Sequence, residues 1–394
     1  MIPTRAVLAI PAAVLVLSGC GAISTVQLRA SGEGIAYADA THALPRPDVT
    51  PVAIPPASTG STNPFVVTVQ ETGSNQLLEI VSGSGTVVAK TTIDPPSPWL
   101  TAAGAGGAYW TQGGAEHELT TSGVVRTLGA VPADANGVVI SPDGTSYAYT
   151  TSEQLKNGTA LNRIFVVRPD AAAVVIADRI SDPNHPTSDA PESWDYYLID
   201  WSADGIAFAR VLTGGCGCGS FDMQMQSANT AIINPTTEVV TALTNDDSCP
   251  LSNVGPGTET VCFASSENTG ATEGVRIGAG GVVTHNYSLS GTTVAGDAVF
   301  APNGDELAYI TIPLSQDTCG ATITPTLRIL NTSTGSASDR NIGDFAPALW
   351  GSNGLIYGTM SAGENSWVVT VNPVTFAVTH VGGSLRGTAF IGMV

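Results

Sequence analysis

One short segment, residues 182–200, gathers carboxylates, a histidine and aromatic rings. Carboxylates at this density suit Ca²⁺ or a cationic partner, and the aromatic rings could stack on a sugar. The segment lacks the Asp-x-Asp-x-Asp spacing of a dedicated calcium loop, so a solvated acidic loop is the alternative. The candidate binding residues are Asp182, His185, Asp189, Glu192, Trp194 and Asp195.

A second segment offers sulfur ligands. Cys216 and Cys218 are followed by Met223 and Met225, and thiolates and thioethers are ligands that Cu(I) prefers. Oxidation of the cysteines competes with metal binding, and two alternate methionines are more often one face of a strand. We therefore assign no metal to this segment and expect no cofactor, with Ca²⁺ at residues 182–200 as the alternative.

The sequence contains few parts of a catalytic constellation. It has no Gly-x-Ser-x-Gly elbow, no His-Glu-x-x-His and no Gly-x-x-x-x-Gly-Lys. Of the histidines, only His185 falls in a candidate binding segment, since His117, His285 and His380 are expected in outer strands. We therefore expect a non-catalytic protein. A carboxylate-dependent glycan hydrolase or lyase is the alternative, because its acidic residues would come from separate repeats.

Composition excludes several classes of protein. The chain has 14 Lys and Arg against 33 Asp and Glu, a net charge of −19, and nucleic-acid binding is excluded because phosphate contacts need a basic surface. The 44 glycines and 25 prolines disfavour a mostly helical fold. A hydrophobic fraction of 43% is too high for a disordered chain.

A strand–turn–strand repeat organises these segments. Residues 140–149 read Ile-Ser-Pro-Asp-Gly-Thr-Ser-Tyr-Ala-Tyr, residues 300–309 match them, and weaker copies lie at 201–208 and 350–357. Each copy predicts two strands joined by a tight Asp-Gly or Asn-Gly turn, in which glycine supplies the positive φ. The turn glycines are Gly144, Gly205, Gly304 and Gly354, with Gly257 as the middle turn of the longest gap.

The Ser-Pro-Asp-Gly turn followed by Ala-Tyr resembles the repeat of TolB-type β-propellers, relatives of the WD-repeat propellers. The resemblance implies four-stranded blades in which this turn joins the innermost strand A to strand B. Counting strands predicts an all-β, seven-bladed propeller whose C-terminal strand, residues 387–394, closes the ring as strand A of the first blade. A two-domain β-sandwich is the competing fold. The first blade has strands near 65–70, 76–81 and 86–92, and full blades start near 99, 136, 196, 251, 294 and 345.

In such a propeller the A–B and C–D turns lie on one face, and the B–C and D–A connections lie on the other, where ligands usually bind. The long connections are predicted on this second face, near 151–162, 179–195, 213–227 and 312–324. Long loops on a rigid scaffold are the expected seat of binding, and tolerated insertions are the alternative. The resemblance to TolB-type propellers implies a role in envelope protein interactions, so we expect binding of a protein or envelope glycan.

The N-terminus resembles a bacterial lipoprotein signal peptide. Arg5 precedes the apolar residues 6–17, which are too short to span a bilayer, and a lipobox ends at Cys20. The resemblance implies removal of residues 1–19 and a lipid on Cys20, and an ordinary secretory signal is the alternative. We expect a protein anchored by lipid alone on the extracytoplasmic face of the cell membrane.

Between the lipobox and the repeats lies a segment rich in Pro, Ser and Thr. Residues 20–62 are expected to form a tether and residues 63–394 the propeller domain. A short apolar patch, Gly34–Ala38, interrupts the tether and could pair at a sheet edge. Because a closed ring has no edge that needs a partner, we expect a monomer.

The remaining cysteines predict disulfides, because the protein is expected to be exported. If the hairpin of the fifth blade is centred on residues 255–256, Cys249 and Cys262 are directly opposed and close enough for a bridge. The other pairing stays open among Cys216, Cys218 and Cys319.

Overall fold

The described part of the chain is built almost entirely of β-strands. The computed structural model describes residues 65–72, 75–94, 101–156, 159–181, 194–212, 227–243, 251–256, 259–266, 270–279, 282–317, 323–362, 365–381 and 388–394. The predicted signal peptide, lipobox and tether therefore lie outside the described residues.

Twenty-eight strands follow one another along the chain, with a single-turn 3-10 helix at Leu314–Gln316. In chain order the strands are β1 (Phe65–Thr72), β2 (Asn75–Ser82), β3 (Val87–Ile93), β4 (Thr101–Gly104), β5 (Gly107–Gln112), β6 (Ala115–Thr120), β7 (Val125–Ala130), β8 (Ala135–Ile140), β9 (Tyr147–Gln154), β10 (Ala160–Val167), β11 (Val174–Ser181), β12 (Trp194–Ser202), β13 (Gly205–Leu212), β14 (Ser227–Ile233), β15 (Val240–Ala242), β16 (Leu251–Val254), β17 (Glu259–Ser265), β18 (Thr272–Ala279), β19 (Val282–Ser288), β20 (Thr293–Phe300), β21 (Glu306–Pro313), β22 (Thr326–Asn331), β23 (Ala337–Arg340), β24 (Asp344–Trp350), β25 (Ile356–Ala362), β26 (Asn365–Val371), β27 (Val378–His380) and β28 (Thr388–Met393).

The strands form seven four-stranded antiparallel sheets, the blades of a β-propeller. Blades two to seven each use four consecutive strands, starting from β4, β8, β12, β16, β20 and β24. Every one of these starts falls within two residues of its predicted position. The predicted seven-bladed propeller is confirmed, and the β-sandwich alternative is wrong.

The first blade is assembled from both ends of the propeller. Its strand order is β28-β1-β2-β3, and β28 pairs with β1 from Val66 opposite Met393 to Gln70 opposite Thr388. The backbone N–H of Val394 also donates to the carbonyl oxygen of Phe65, at 3.0 Å. The C-terminal strand therefore closes the ring as the sequence predicts.

Apolar side chains from facing sheets fill the spaces between blades. Strand β12 alternates buried and partly exposed residues, and Trp194, Tyr196 and Leu198 pack against blade three. Blades six and seven enclose a cluster that includes Phe345 and Ile356. Because alternate residues of these strands point toward a neighbouring blade, each pair of neighbouring blades shares one buried layer of apolar side chains.

The repeated turns adopt the conformation that their glycines predict. Gly144, Gly205, Gly304 and Gly354 all have positive φ. At the first of these turns, the Asp143 carboxylate accepts hydrogen bonds from Ser141 Oγ (2.5 Å) and from the backbone N–H of Thr145 (3.0 Å). Burial alone would raise the pKa of Asp143, but these hydrogen bonds hold it below its ordinary value.

Candidate functional site

The two faces of the propeller differ in the length of their connections. A–B and C–D turns define one face, here called the turn face, and span short intervals such as residues 203–204 and 280–281. The B–C and D–A connections define the opposite loop face and include residues 182–193, 213–226 and 314–325. The long connections that the sequence predicts at these three places therefore join strands at the loop face.

One predicted long connection is wrong. Residues 151–162 mostly belong to a hairpin, because β9 continues to Gln154, which pairs with Ala160 at the start of β10. An ion pair between Glu153 and Arg163, at 3.0 Å, links the exposed ends of these strands. The polar side chains that suggest a loop in the sequence belong to the solvent-exposed end of a hairpin.

The candidate binding segment is only partly described. Asp182, His185, Asp189 and Glu192 lie outside the described residues, so their proximity stays a prediction. Trp194 and Asp195 begin β12, the innermost strand of blade four.

Trp194 is buried in the core between blades three and four. Its side chain is 3% exposed, its ring packs edge-on against Tyr196 with centroids 5.0 Å apart, and the Arg210 guanidinium lies 5.3 Å from the ring centroid. The Trp194 carbonyl accepts a hydrogen bond from Asn162 Nδ2 at 2.7 Å. The expectation that Trp194 offers an aromatic face to a ligand is therefore wrong.

The opposite side of β12 is more open. Asp195 and Tyr197 are partly exposed and Asp200 is exposed, yet burial raises the pKa of Tyr197 and of Asp200. A backbone hydrogen bond from Trp201 opposes the rise for Asp200. The Asp200 side chain therefore keeps contact with solvent, although enough protein surrounds its carboxyl group to raise the pKa.

The innermost strands as a set carry acidic but no basic side chains. Within the described bounds of β28, β4, β8, β12, β16, β20 and β24 there is no Lys, Arg or His. Burial raises the pKa of Asp344 at the loop-face end of β24. Because innermost strands surround the central channel of a propeller, the axial surface favours cationic groups. The acidic residues are Asp195, Asp200, Asp297 and Asp344.

Most innermost strands also contain a bulge. Register shifts interrupt β8 next to Asn136, β12 next to Asp200 and β20 next to Asp297, which has a φ of 49°. Strands β16, β24 and β28 shift in the same way. A bulge re-aims the side chains beside it, which explains why simple alternation in the sequence does not predict which residues line the channel.

A fully buried carboxyl group, that of Glu116, lies between blades two and three. Glu116 has no exposed surface. Its Oε2 accepts a hydrogen bond from Thr111 Oγ1 at 2.6 Å, and its Oε1 has no partner among the described residues. Burial raises the pKa of Glu116 to about 8, against the opposing effect of the Thr111 hydrogen bond. A group without solvent contact cannot touch a substrate, so Glu116 is part of the core.

The described histidines lie apart from one another, each beside an aromatic ring. His117 stacks on Trp110 at 5.2 Å, His285 lies near Tyr287 at 5.9 Å and His380 meets Trp367 edge-on at 6.0 Å. They occupy β6, β19 and β27, the outer strands that the sequence predicts. No group of three or more His, Cys, Asp or Glu that could hold a metal occurs among the described residues.

The register of blade five differs from the prediction. Leu251 lies opposite Cys262, and a shift separates this pair from Asn253 opposite Val261. Cys249 is therefore not directly opposite Cys262, because Val254 pairs with Thr260 and the hairpin is centred later in the chain than residues 255–256. Cys249, Cys216, Cys218 and Cys319 lie outside the described residues, as do Met223 and Met225, so the disulfide pairing stays a prediction.

The fold is similar to several solved propellers. TolB from Acinetobacter baumannii is 10% identical, with 83% of each chain covered and a TM-score of 0.42. Periplasmic gluconolactonase from Pseudomonas aeruginosa is 11% identical, with 84% of this chain and 99% of that chain covered and a TM-score of 0.46. Oligogalacturonate lyase from Vibrio parahaemolyticus is 9% identical, with 75% and 88% covered and a TM-score of 0.43.

These comparisons concern the fold alone. The chain is a seven-bladed β-propeller similar to TolB proteins, and the same likeness extends to a lactonase and a lyase. No protein-family model and no curated protein matches the sequence. Among the described residues, no helix is long and apolar enough to cross a membrane. Function must therefore be argued from the site.

Proposed function

We propose that this protein is a lipid-anchored, extracytoplasmic β-propeller that binds a protein or an envelope glycan through its loop face without catalysing a reaction. The observation that carries the proposal is the asymmetry between the faces. The connections at residues 182–193 and 213–226 leave the loop face, whereas the turn face has short turns. Long loops on a rigid ring supply variable contacts at little cost to the fold.

The charge of the axial surface indicates what the ligand presents. Asp195 and Asp344 lie at the loop-face ends of their strands, and no basic residue neighbours them within the innermost strands. Such a surface attracts a cationic side chain or accepts hydrogen bonds from hydroxyl groups. Both a basic protein segment and an amino-sugar-containing glycan meet this requirement, and Ca²⁺ at residues 182–195 is a further candidate.

Lipid attachment at Cys20 would hold the binding domain at the membrane surface. The lipobox and the Pro-rich residues 20–62 support this part of the proposal. We also propose the Cys249–Cys262 disulfide, which would link the D–A connection before β16 to strand β17. Mass spectrometry of the mature protein tests both proposals, through the mass of the N-terminal peptide and the linked cysteine peptides.

The binding proposal is tested with two double variants of equal charge. Asp189→Ala with Glu192→Ala changes the acidic loop, and Asp204→Ala with Asp305→Ala removes two acidic side chains from turns of the turn face. Immobilised mature protein is exposed to solubilised envelope proteins and to purified cell-wall glycan. We expect the wild type and the turn-face variant to retain the same ligand and the loop variant to lose it. Equal retention by all three proteins would contradict a role for the acidic loop.

One observation favours a second function, a carboxylate-dependent glycan hydrolase or lyase. Asp200 is exposed on an innermost strand and burial raises its pKa, which is a property of general acids. If purified cell-wall glycan is shortened or made unsaturated by the wild type and not by Asp200→Asn, the enzyme replaces the binding protein as the function.

A further inference from the structure

The outermost strand of each blade has one side without a partner among the described strands. Unpaired strand edges invite another strand, and proteins block them with charged side chains or by keeping them short. Here β15 and β27 contain three residues each. Four longer outer strands carry charged side chains, which are Lys90 in β3, Arg126 in β7, Asp178 and Arg179 in β11, and Asp339 and Arg340 in β23.

Strand β19 of blade five has neither form of protection. It runs for seven residues, Val-Val-Thr-His-Asn-Tyr-Ser, without Asp, Glu, Lys or Arg. Six of these residues are exposed, with Val282 at 66% and Val283 at 49%. A bulge separates Val283 from His285, but β3, β7 and β11 have comparable bulges as well as charges. The edge of β19 is therefore the least protected of the longer outer edges that the structure describes.

The edge is also held in place. Tyr287 Oη donates a hydrogen bond to the carbonyl oxygen of Thr332 in blade six, at 2.6 Å. The Tyr287 ring lies over Gly335, where a Cβ would come within 2.4–2.6 Å of ring carbons if it were added. This contact fixes the C-terminal half of β19 against its neighbour, and a rigid edge loses little entropy when another strand pairs with it.

The chain itself contains a strand that matches this edge. Residues Gly34–Ala38 form an apolar, uncharged and Pro-free patch within the Pro-rich segment before Phe65. Ile35 and Tyr37 are β-branched and aromatic residues, which are enriched in strands. Glu33 and Asp39 flank the patch, and β19 contains no acidic residue that would repel them.

The connecting chain is long enough to reach. Residues 39–64 span about 85 Å when extended, and a compact domain of this length has a diameter of roughly 50 Å. The six prolines between residues 45 and 64 favour extended backbone along that path.

We propose that residues 35–38 pair with β19 as a fifth strand of blade five. This pairing would cover the exposed edge and shorten the free tether to the residues between Cys20 and Glu33. It does not depend on a lipid at Cys20 or on a ligand at the loop face.

Hydrogen exchange on the full mature chain tests the pairing from both sides. Ala36→Pro removes a backbone N–H from the added strand, with Ala53→Pro as the control elsewhere in the same segment. We expect the outward-facing amides of β19 to exchange at least tenfold faster in Ala36→Pro than in the wild type and in Ala53→Pro. Equal exchange in all three proteins would overturn the proposal.

The reciprocal test changes the edge. Val283→Lys places a charge on β19, and Val125→Lys places it on β7 at a side chain of the same 49% exposure. We expect residues 35–38 to lose at least tenfold of their protection only in Val283→Lys. If the protection of β19 instead rises with protein concentration, the strand comes from a second copy, and pairing within one chain is wrong.

Discussion

Two interfaces between neighbouring blades are built from the same kind of sheet but bury different side chains. Between blades six and seven the buried cluster is apolar and includes Ile312, Phe345 and Ile356. Between blades two and three, the core contains the rings of Tyr109 and Tyr147 and the carboxyl group of Glu116. Burial is the main cause that raises the pKa of Tyr147 to about 12, and the charge of Glu116 adds to it.

The polar interface depends on hydrogen bonds as well as on filled space. Tyr147 Oη donates to the carbonyl oxygen of Ala130 at 2.9 Å, and Tyr109 Oη donates to that of Ala105 at 3.0 Å. Glu116 is compatible with this core in its protonated form, because a buried charge without a counterion is costly. A propeller therefore tolerates either kind of interface, and the polar one adds the pH-dependent contribution of Glu116 to stability.

The largest effect is expected in the apolar interface. Phe345→Ala removes a side chain that is buried in the cluster between blades six and seven and should lower the free energy of unfolding by about 3–5 kcal/mol. Urea denaturation at constant pH measures this loss. Val374→Ala, at an exposed position of the same blade, is the control, and a similar loss in both variants would show that packing between blades is not the cause.

The polar interface should respond to pH. In the folded state the pKa of Glu116 is raised to about 8 from an ordinary 4.5, so the folded protein binds this proton more tightly than the unfolded chain. Its contribution is fully present below about pH 4.5 and is lost as the pH rises to about 8. Glu116→Gln should flatten this fall by a few kcal/mol, at about 1.4 kcal/mol per pKa unit.

Urea denaturation between pH 5 and pH 9 measures that difference. Glu153→Gln, which changes an exposed carboxylate, serves as the control and should keep the wild-type pH dependence. An unchanged slope in Glu116→Gln would mean that another group causes the pH dependence.

Two turn glycines allow the energetic cost of backbone strain to be measured apart from the cost of a clash between blades. Gly144 and Gly354 have φ values of 70° and 79°, and alanine in this conformation costs about 1–2 kcal/mol. A Cβ at Gly144 would also collide with the carbonyl oxygen of Ala105 in blade two, whereas nothing lies within 4 Å at Gly354. Gly144→Ala should therefore lower the free energy of unfolding more than Gly354→Ala. Equal losses would mean that the turn moves freely away from blade two.

The smallest effect is expected at a surface ion pair. Glu153 and Arg163 are 3.0 Å apart at the exposed end of their hairpin. Glu153→Gln at neutral pH should change the free energy of unfolding by about 0.5 kcal/mol or less. Calorimetry at low and high salt measures this, and a loss comparable to that of Phe345→Ala would place an important interaction at this hairpin.

The blades were predictable because their signals are local. A tight turn with glycine between two alternating strands has few other solutions, and its four copies locate blades three, four, six and seven. The other three blades follow from counting alternating strands. Ring closure was also predictable. The first blade has only three strands in sequence near residue 65, and the strand pattern at residues 387–394 belongs to no later blade.

The site was less predictable because its geometry depends on neighbouring blades. The hairpin of blade five is centred later in the chain than the sequence predicts, and a bulge next to Leu251 changes its register again. No residue type in the sequence indicates either feature. In the sequence, Trp194 lies beside acidic residues that predict a loop. In the structure, its side chain packs against blade three. Glu116 has the same sequence context as an exposed strand carboxylate, and its burial becomes visible only in the structure, where Tyr147 of blade three lies near it.

Ring closure has a mechanical consequence. A pull on the chain immediately before Phe65 enters the propeller at the first residue of β1, a strand paired with β28 on one side and β2 on the other. Force applied along such a strand must shear two ladders at once instead of peeling one open. The seam that joins the two ends of the propeller is thus also the clamp that would carry such load into the domain.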